Sequence, residues 1–214
     1  MGALAELLII VVPPAIVYVV YSITGRKPQQ PPGTLARSYG AGVLAIIPVV
    51  LMSLMVPSPI STAIPDGIGE LGRMFVLTGF TEETMKLVVL AVFAWPPAWS
   101  QRPGHSAAIG TFVGFGFGTA ETVLAAAIGS GSVVMRSLLV SPFHALTTAT
   151  LAVLYGYRTR VGPEGILGGI LFLALIHTSF NLLLQTGLPG IVGTSLLVIV
   201  WTAVLMRFCT AAAA

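Results

Sequence analysis

Glu82, Glu83 and Lys86 interrupt an apolar stretch that runs from Phe75 to Phe80 before them and from Leu87 to Trp95 after them. Helical positions three and four apart share a face, so Lys86 can pair with either carboxylate. Farther along stand Phe117 and Glu121, His144 and Thr148, and His177 and Asn181. Each of these pairs has the same four-residue spacing and aims two groups at one spot. Carboxylates, histidines and an amide are the parts of water-activating chemistry. One group takes a proton from water, others donate to the developing oxyanion, and an acid protonates the leaving group. Two histidines and a carboxylate could instead hold a catalytic zinc with water in the fourth position. HExxH is absent, so metal-free glutamate chemistry without a cofactor is expected, with zinc as the alternative. No serine or cysteine nucleophile is favoured, because Cys209 lies near the end of the last apolar run.

These groups sit in an extremely apolar chain. Of its 214 residues 56% are hydrophobic and only 8% charged, against about a quarter charged in a soluble domain. A soluble fold is therefore excluded. The net charge of +3 does not point to nucleic acid, because the Lys and Arg residues are scattered singly instead of forming a patch. A helix crosses the hydrocarbon core in about 20 residues. Cutting the chain at Pro, Gly and charge predicts an all-α bundle of seven spans, forming one membrane domain over residues 1–214. They run from Ala3 to Ile23, Ser38 to Val56, Phe75 to Trp95, Ser106 to Ile128, Ser132 to Gly156, Gly165 to Leu188 and Gly190 to Arg207. The first lacks a basic start, so it reads as a span and not as a signal peptide. Between the second and third lies a proline-rich stretch, Pro57 to Met74, read as a connector, with a surface helix or a lid as alternatives.

Orientation follows from where Lys and Arg fall. An outside N-terminus puts Arg26, Lys27, Arg37, Arg102, Arg158, Arg160 and Arg207 on the cytoplasmic side and only Arg73 and Arg136 outside. At ~1.5 Å of rise per residue, Glu82 and Glu121 then lie roughly 10 Å below the outer surface, and His144, His177 and Asn181 roughly 11 to 18 Å. Four consecutive helices thus present ionisable or amide groups at one level. An isolated charge at mid-membrane costs about 2.5 to 3.5 kcal/mol, so these groups are expected to share a cavity. Gly110, Gly114 and Gly118 form a small-xxx-small stripe that lets a neighbouring helix approach the fourth span.

Glu82-Glu83-Thr84-Met85-Lys86 matches EExxK, Phe117 to Glu121 matches FxxxE, and His144 and His177 to Asn181 follow in order. This set resembles the PrsW family of intramembrane proteases. More distantly it resembles the CPBP family, which includes CAAX prenyl endopeptidases and favours EExxxR and FxxxH. Leu87 and Glu121 stand where that family has arginine and histidine. The resemblance also extends to a seven-span subunit of gamma-secretase. It implies a multi-pass protein of a prokaryotic cytoplasmic membrane, with a membrane-anchored protein such as an anti-sigma factor as substrate and no nucleic acid as partner. The catalytic residues it implies are Glu82, Glu83, Glu121, His177, Asn181 and His144, supported by Lys86 and Phe117. Which of the two adjacent glutamates is the base stays open at this point. Two other function classes use the same residues. Acidic groups and histidines at one depth could form a proton pathway, and a noncatalytic scaffold or immunity-type protein could use the cavity to hold a partner helix.

Overall fold

The computed structural model describes residues 3–23, 32–55, 68–94 and 102–211, and every regular element among them is helical. We number the helices α1 (Ala3–Ile23), α2 (Pro32–Met55), α3 (68–94), α4 (Pro103–Ala127), α5 (Val133–Gly156), α6 (Arg158–Leu184) and α7 (Leu188–Ala211). Five of them, α2 and α4 to α7, are long and apolar enough to cross a membrane. Helix α3 carries the Glu82, Glu83 and Lys86 charges, and the apolar stretch of α1 is a shorter one, Leu8–Val19. The proline-rich stretch expected as a connector, surface helix or lid lies outside the described residues up to position 67, and α3 begins at Ile68.

Helix boundaries follow local chemistry. Pro103 opens α4 in the first turn, where a missing N–H costs nothing. The turn into α5 needs left-handed backbone at Gly129 (φ 68°) and Gly131 (φ 79°), which glycine adopts without a Cβ clash. Ser132 then caps α5. Within α6, Gly162 (φ 69°) breaks the helix before Pro163, so the long regular part begins there and not at Arg158. Helices α3 and α5 each contain π-helical segments, Met74–Phe80 and Leu90–Ala94 in the first and Arg136–Val140 in the second. A wider turn of this kind inserts a residue and rotates everything downstream, and such segments are frequent at functional sites. One stands directly before Glu82 and another shortly before His144.

The middle of the bundle is α4 and α5, most of whose length is buried, whereas α7 is largely exposed to its surroundings. Glycines make this packing possible. A Cβ at Gly114 would overlap the carbonyl of His144, one at Gly110 would meet the Thr148 carbonyl, and one at Gly118 would press on Ser141. Gly42 of α2 and Gly116 of α4 do the same on the opposite side of α4, and Gly79 brings α3 against Ala174 and Thr178 of α6. Around these approaches Ala45, Val49, Leu90, Val113, Phe117 and Ala152 form a core that joins α2, α3, α4 and α5. The glycine stripe thus sets the separation of the helices that carry Glu121 and His144.

Gly114→Ala is expected to push α4 and α5 apart and to destabilise the protein by about 1 to 3 kcal/mol or more. Gly168→Ala, where an added methyl meets no neighbour, is expected to be neutral or slightly stabilising. Thermal unfolding of both variants in detergent checks the contrast; equal midpoints would remove the packing role assigned to Gly114.

Candidate active site

The π-helical start of α3 leads into Thr81–Val89, whose first turn carries Glu82 and Glu83 and whose last carries Lys86. All three are buried. Their side chains meet His144 from α5 and His177 from α6, with Phe117 and Glu121 of α4 closing the group. The Lys86 ammonium is the hub. Its Nζ donates to Glu83 Oε1 at 2.8 Å and to His144 Nδ1 at 2.7 Å, lies 3.7 Å from Glu82 Oε2, and sits 4.4 Å from the centre of the Phe117 ring. A buried ammonium is tolerable only with partners of this kind.

Because Lys86 occupies the lone pair of His144 Nδ1, the ring hydrogen belongs on Nε2. That nitrogen donates to Glu121 Oε2 at 2.7 Å, and Arg136 Nη1 donates to Glu121 Oε1 at 2.9 Å. A second tautomer is set in the same way. His177 Nδ1 donates to Glu83 Oε1 at 2.9 Å, which leaves the lone pair of its Nε2 turned to Glu82 Oε2, 3.7 Å away. The Thr147 hydroxyl lies 3.3 Å from the same Glu83 oxygen. Histidine held from behind by a carboxylate is the arrangement that orients a ring for catalysis or for metal ligation. Phe143 packs edge-on against His177, with ring centres 5.3 Å apart, and stacks on Phe180 at 3.8 Å, so the imidazole has a stiff aromatic backing.

The two adjacent glutamates are therefore not equivalent. Glu83 is fully buried and its Oε1 takes Lys86, His177 and Thr147. Glu82 keeps 8% of its side chain exposed, and among the described residues its Oε2 has no hydrogen-bond partner although it is buried. Three carboxylates (Glu82, Glu83, Glu121) face two cations (Lys86, Arg136), so with both histidines neutral the cluster is one positive charge short. A proton or a bound cation would balance it. Glu82, His144 and His177 each offer a ligand atom within 4.8 Å of the others. One carboxylate and two imidazoles are a donor set that suits zinc, so these residues fit a divalent metal.

Of the residues singled out in the sequence, Glu82, Glu83, Lys86, Phe117, Glu121, His144 and His177 come together in one connected group. Asn181 lies one turn beyond His177 on α6, half-buried, and among the described residues it makes no hydrogen bond to the group. Thr148, paired with His144 by spacing, bonds the His144 carbonyl within its own helix and is a packing residue. Two further residues join the group. Arg136, by its position a charge outside the membrane, returns to Glu121 across the α4–α5 turn. Thr147, one position before Thr148, is the threonine that faces Glu83. A polar residue on the next helical position was the available signal for Thr147; nothing local in the sequence marks Arg136.

Protease PrsW of Shouchella clausii (strain KSM-K16) is 26% identical to this chain over 160 residues, covering 70% of this chain and 69% of that protein. No solved structure matches the chain significantly. The sequence profile of the PrsW family, described as intramembrane metalloproteases, matches residues 30–207. That range contains every residue of the cluster, and the chain belongs to the PrsW family of intramembrane proteases.

Proposed function

We propose that the chain is an intramembrane endopeptidase that cleaves membrane-anchored proteins, such as anti-sigma factors, within one domain of seven spans whose N-terminus lies outside a bacterial cytoplasmic membrane. The observation that carries the chemistry is the pair formed by Glu82 Oε2 and His177 Nε2, two acceptors 3.7 Å apart. Both can accept hydrogens from one water molecule. In this reading Glu82 is the base. It removes a proton as the water oxygen attacks the scissile carbonyl, and it returns that proton to the leaving nitrogen. His177 accepts the second hydrogen and so aims the water. Its tautomer makes it an acceptor here, so the donor to the developing oxyanion is the Asn181 amide. Glu83 holds His177, and Lys86 neutralises Glu83. Glu121 fixes the His144 tautomer and, with Arg136, closes the outer side of the group.

A second reading is favoured by the family's description and by the close approach of Glu82, His144 and His177. There these three residues hold a divalent metal ion, which when bound would polarise the carbonyl and acidify the attacking water. In that case Glu83 and Glu121 orient the two imidazoles from behind.

Detergent-purified protein is expected to cleave single-span substrates at a position inside the span. Dialysis against a strong chelator, followed by measurement of metal content and activity, separates the two readings: retained activity in metal-free protein supports the glutamate chemistry, and loss restored by zinc supports the metal. Proton or ion flux in proteoliposomes without any cleavage would overturn the endopeptidase reading altogether.

A further inference from the structure

Lys86 stands on the same donors that a metal ion would need. Its Nζ is 2.7 Å from His144 Nδ1 and 3.7 Å from Glu82 Oε2, two of the three ligand residues, and 2.8 Å from Glu83, which holds the third. Lone pairs settle whether ammonium and metal can coexist. His144 Nδ1 has one lone pair, and it accepts from Lys86; Nε2 carries the hydrogen given to Glu121. While the ammonium stays, this imidazole has no lone pair to offer. The third side of Nζ rests on the Phe117 ring, 4.4 Å from its centre, a contact that further stabilises a cation there.

We propose that Lys86 is a tethered cation that competes with a divalent metal ion for His144 and Glu82, and thereby sets the metal affinity of the site. This rests on the metal reading given above. Loading the site requires the ammonium to leave His144, so metal binding carries the cost of breaking its contacts with Glu83 and Phe117. Replacing Lys86 by an uncharged side chain removes that cost and leaves Glu82 and Glu83 without their counter-charge, which raises the attraction for a cation.

Equilibrium binding of zinc to the full-length, detergent-purified chain tests this. Lys86→Met is expected to lower the zinc Kd at least tenfold relative to wild type, and adding His177→Ala is expected to abolish the gain. Where Lys86→Met fails to fold, the comparison is made between Glu83→Gln and Glu83→Gln/Lys86→Met, which removes the buried partners together and is expected to show the same tenfold gain. Zinc affinity unchanged or weakened by Lys86→Met, or a gain that survives His177→Ala, overturns the proposal. Absence of zinc binding in all of these proteins overturns it together with the metal reading, whereas the endopeptidase reading is judged separately by substrate cleavage.

Discussion

Glu82→Gln is expected to reduce cleavage of a single-span substrate by about a thousandfold or more while the protein keeps its thermal stability. General-base groups are worth roughly 10²- to 10⁴-fold, and this carboxylate's Oε2 lies 3.7 Å from both His177 Nε2 and Lys86 Nζ and has no hydrogen-bond partner among the described residues. Stability is spared for the same reason. Among the described residues the ion-pair contacts of Glu82 are to Lys86 and His177, both at 3.7 Å, beyond hydrogen-bonding distance. Replacing the carboxylate by a carboxamide also removes a charge from an apolar interior, which offsets the loss of those contacts. Cleavage assays and unfolding curves on one preparation check both halves. Wild-type cleavage by Glu82→Gln would remove Glu82 from the chemistry, in either the metal-free or the metal reading.

Glu83→Ala is expected to behave differently, although the residues are neighbours. Here cleavage is lost because the fold is weakened by about 3 to 5 kcal/mol, the usual cost of leaving one member of a buried ion pair alone. Three donors converge on Glu83 Oε1; the substitution strands His177 Nδ1 and takes the nearest carboxylate from Lys86, whereas the Thr147 hydroxyl retains the His144 carbonyl at 3.2 Å. The Lys86 ammonium keeps His144 and the Phe117 face, neither of which carries a balancing charge, and is left with only the longer 3.7 Å ion pair to Glu82. Combining Glu83→Ala with Lys86→Met is expected to recover part of the stability and none of the activity, since His177 still lacks the group that holds its tautomer. Unfolding midpoints in detergent for the single and double variants measure this. A single variant as stable as wild type would mean that Lys86 finds other partners and that Glu83 is not the structural anchor of the site.

That adjacent glutamates divide into an anchor and a reactive group was not visible in the sequence. Residues next to each other on a helix point about 100° apart, so spacing alone permits either to face the cavity and allows Lys86 to pair with both. The choice depends on α6, whose His177 bonds Glu83, and on α5, whose Thr147 reaches the same oxygen. The π-helical segments compound the difficulty. Met74–Phe80 and Arg136–Val140 change the register just before Glu82 and His144, and helix periodicity counted at 3.6 residues per turn cannot follow such a change. Arg136 is the clearest case. As a lone charge after a glycine turn it looks like a topology signal, and only the return of α5 alongside α4 brings it within 2.9 Å of Glu121.

By itself the sequence determined the helical class, the membrane environment and the set of groups that had to find one another. Composition excludes a soluble fold, and the cost of isolated charge in hydrocarbon requires that Glu82, Glu83, Lys86, Glu121, His144 and His177 meet. Only the tertiary structure decided how they meet. Which oxygen accepts, which ring nitrogen keeps its hydrogen and which glutamate stays free are set by contacts between helices up to 94 residues apart in the chain. Those contacts depend on glycine-lined approaches that a linear pattern can suggest but cannot orient. The pair Glu82 and Glu83, identical in residue type and adjacent in sequence, acquires two different roles because the helices packed against each of them are different.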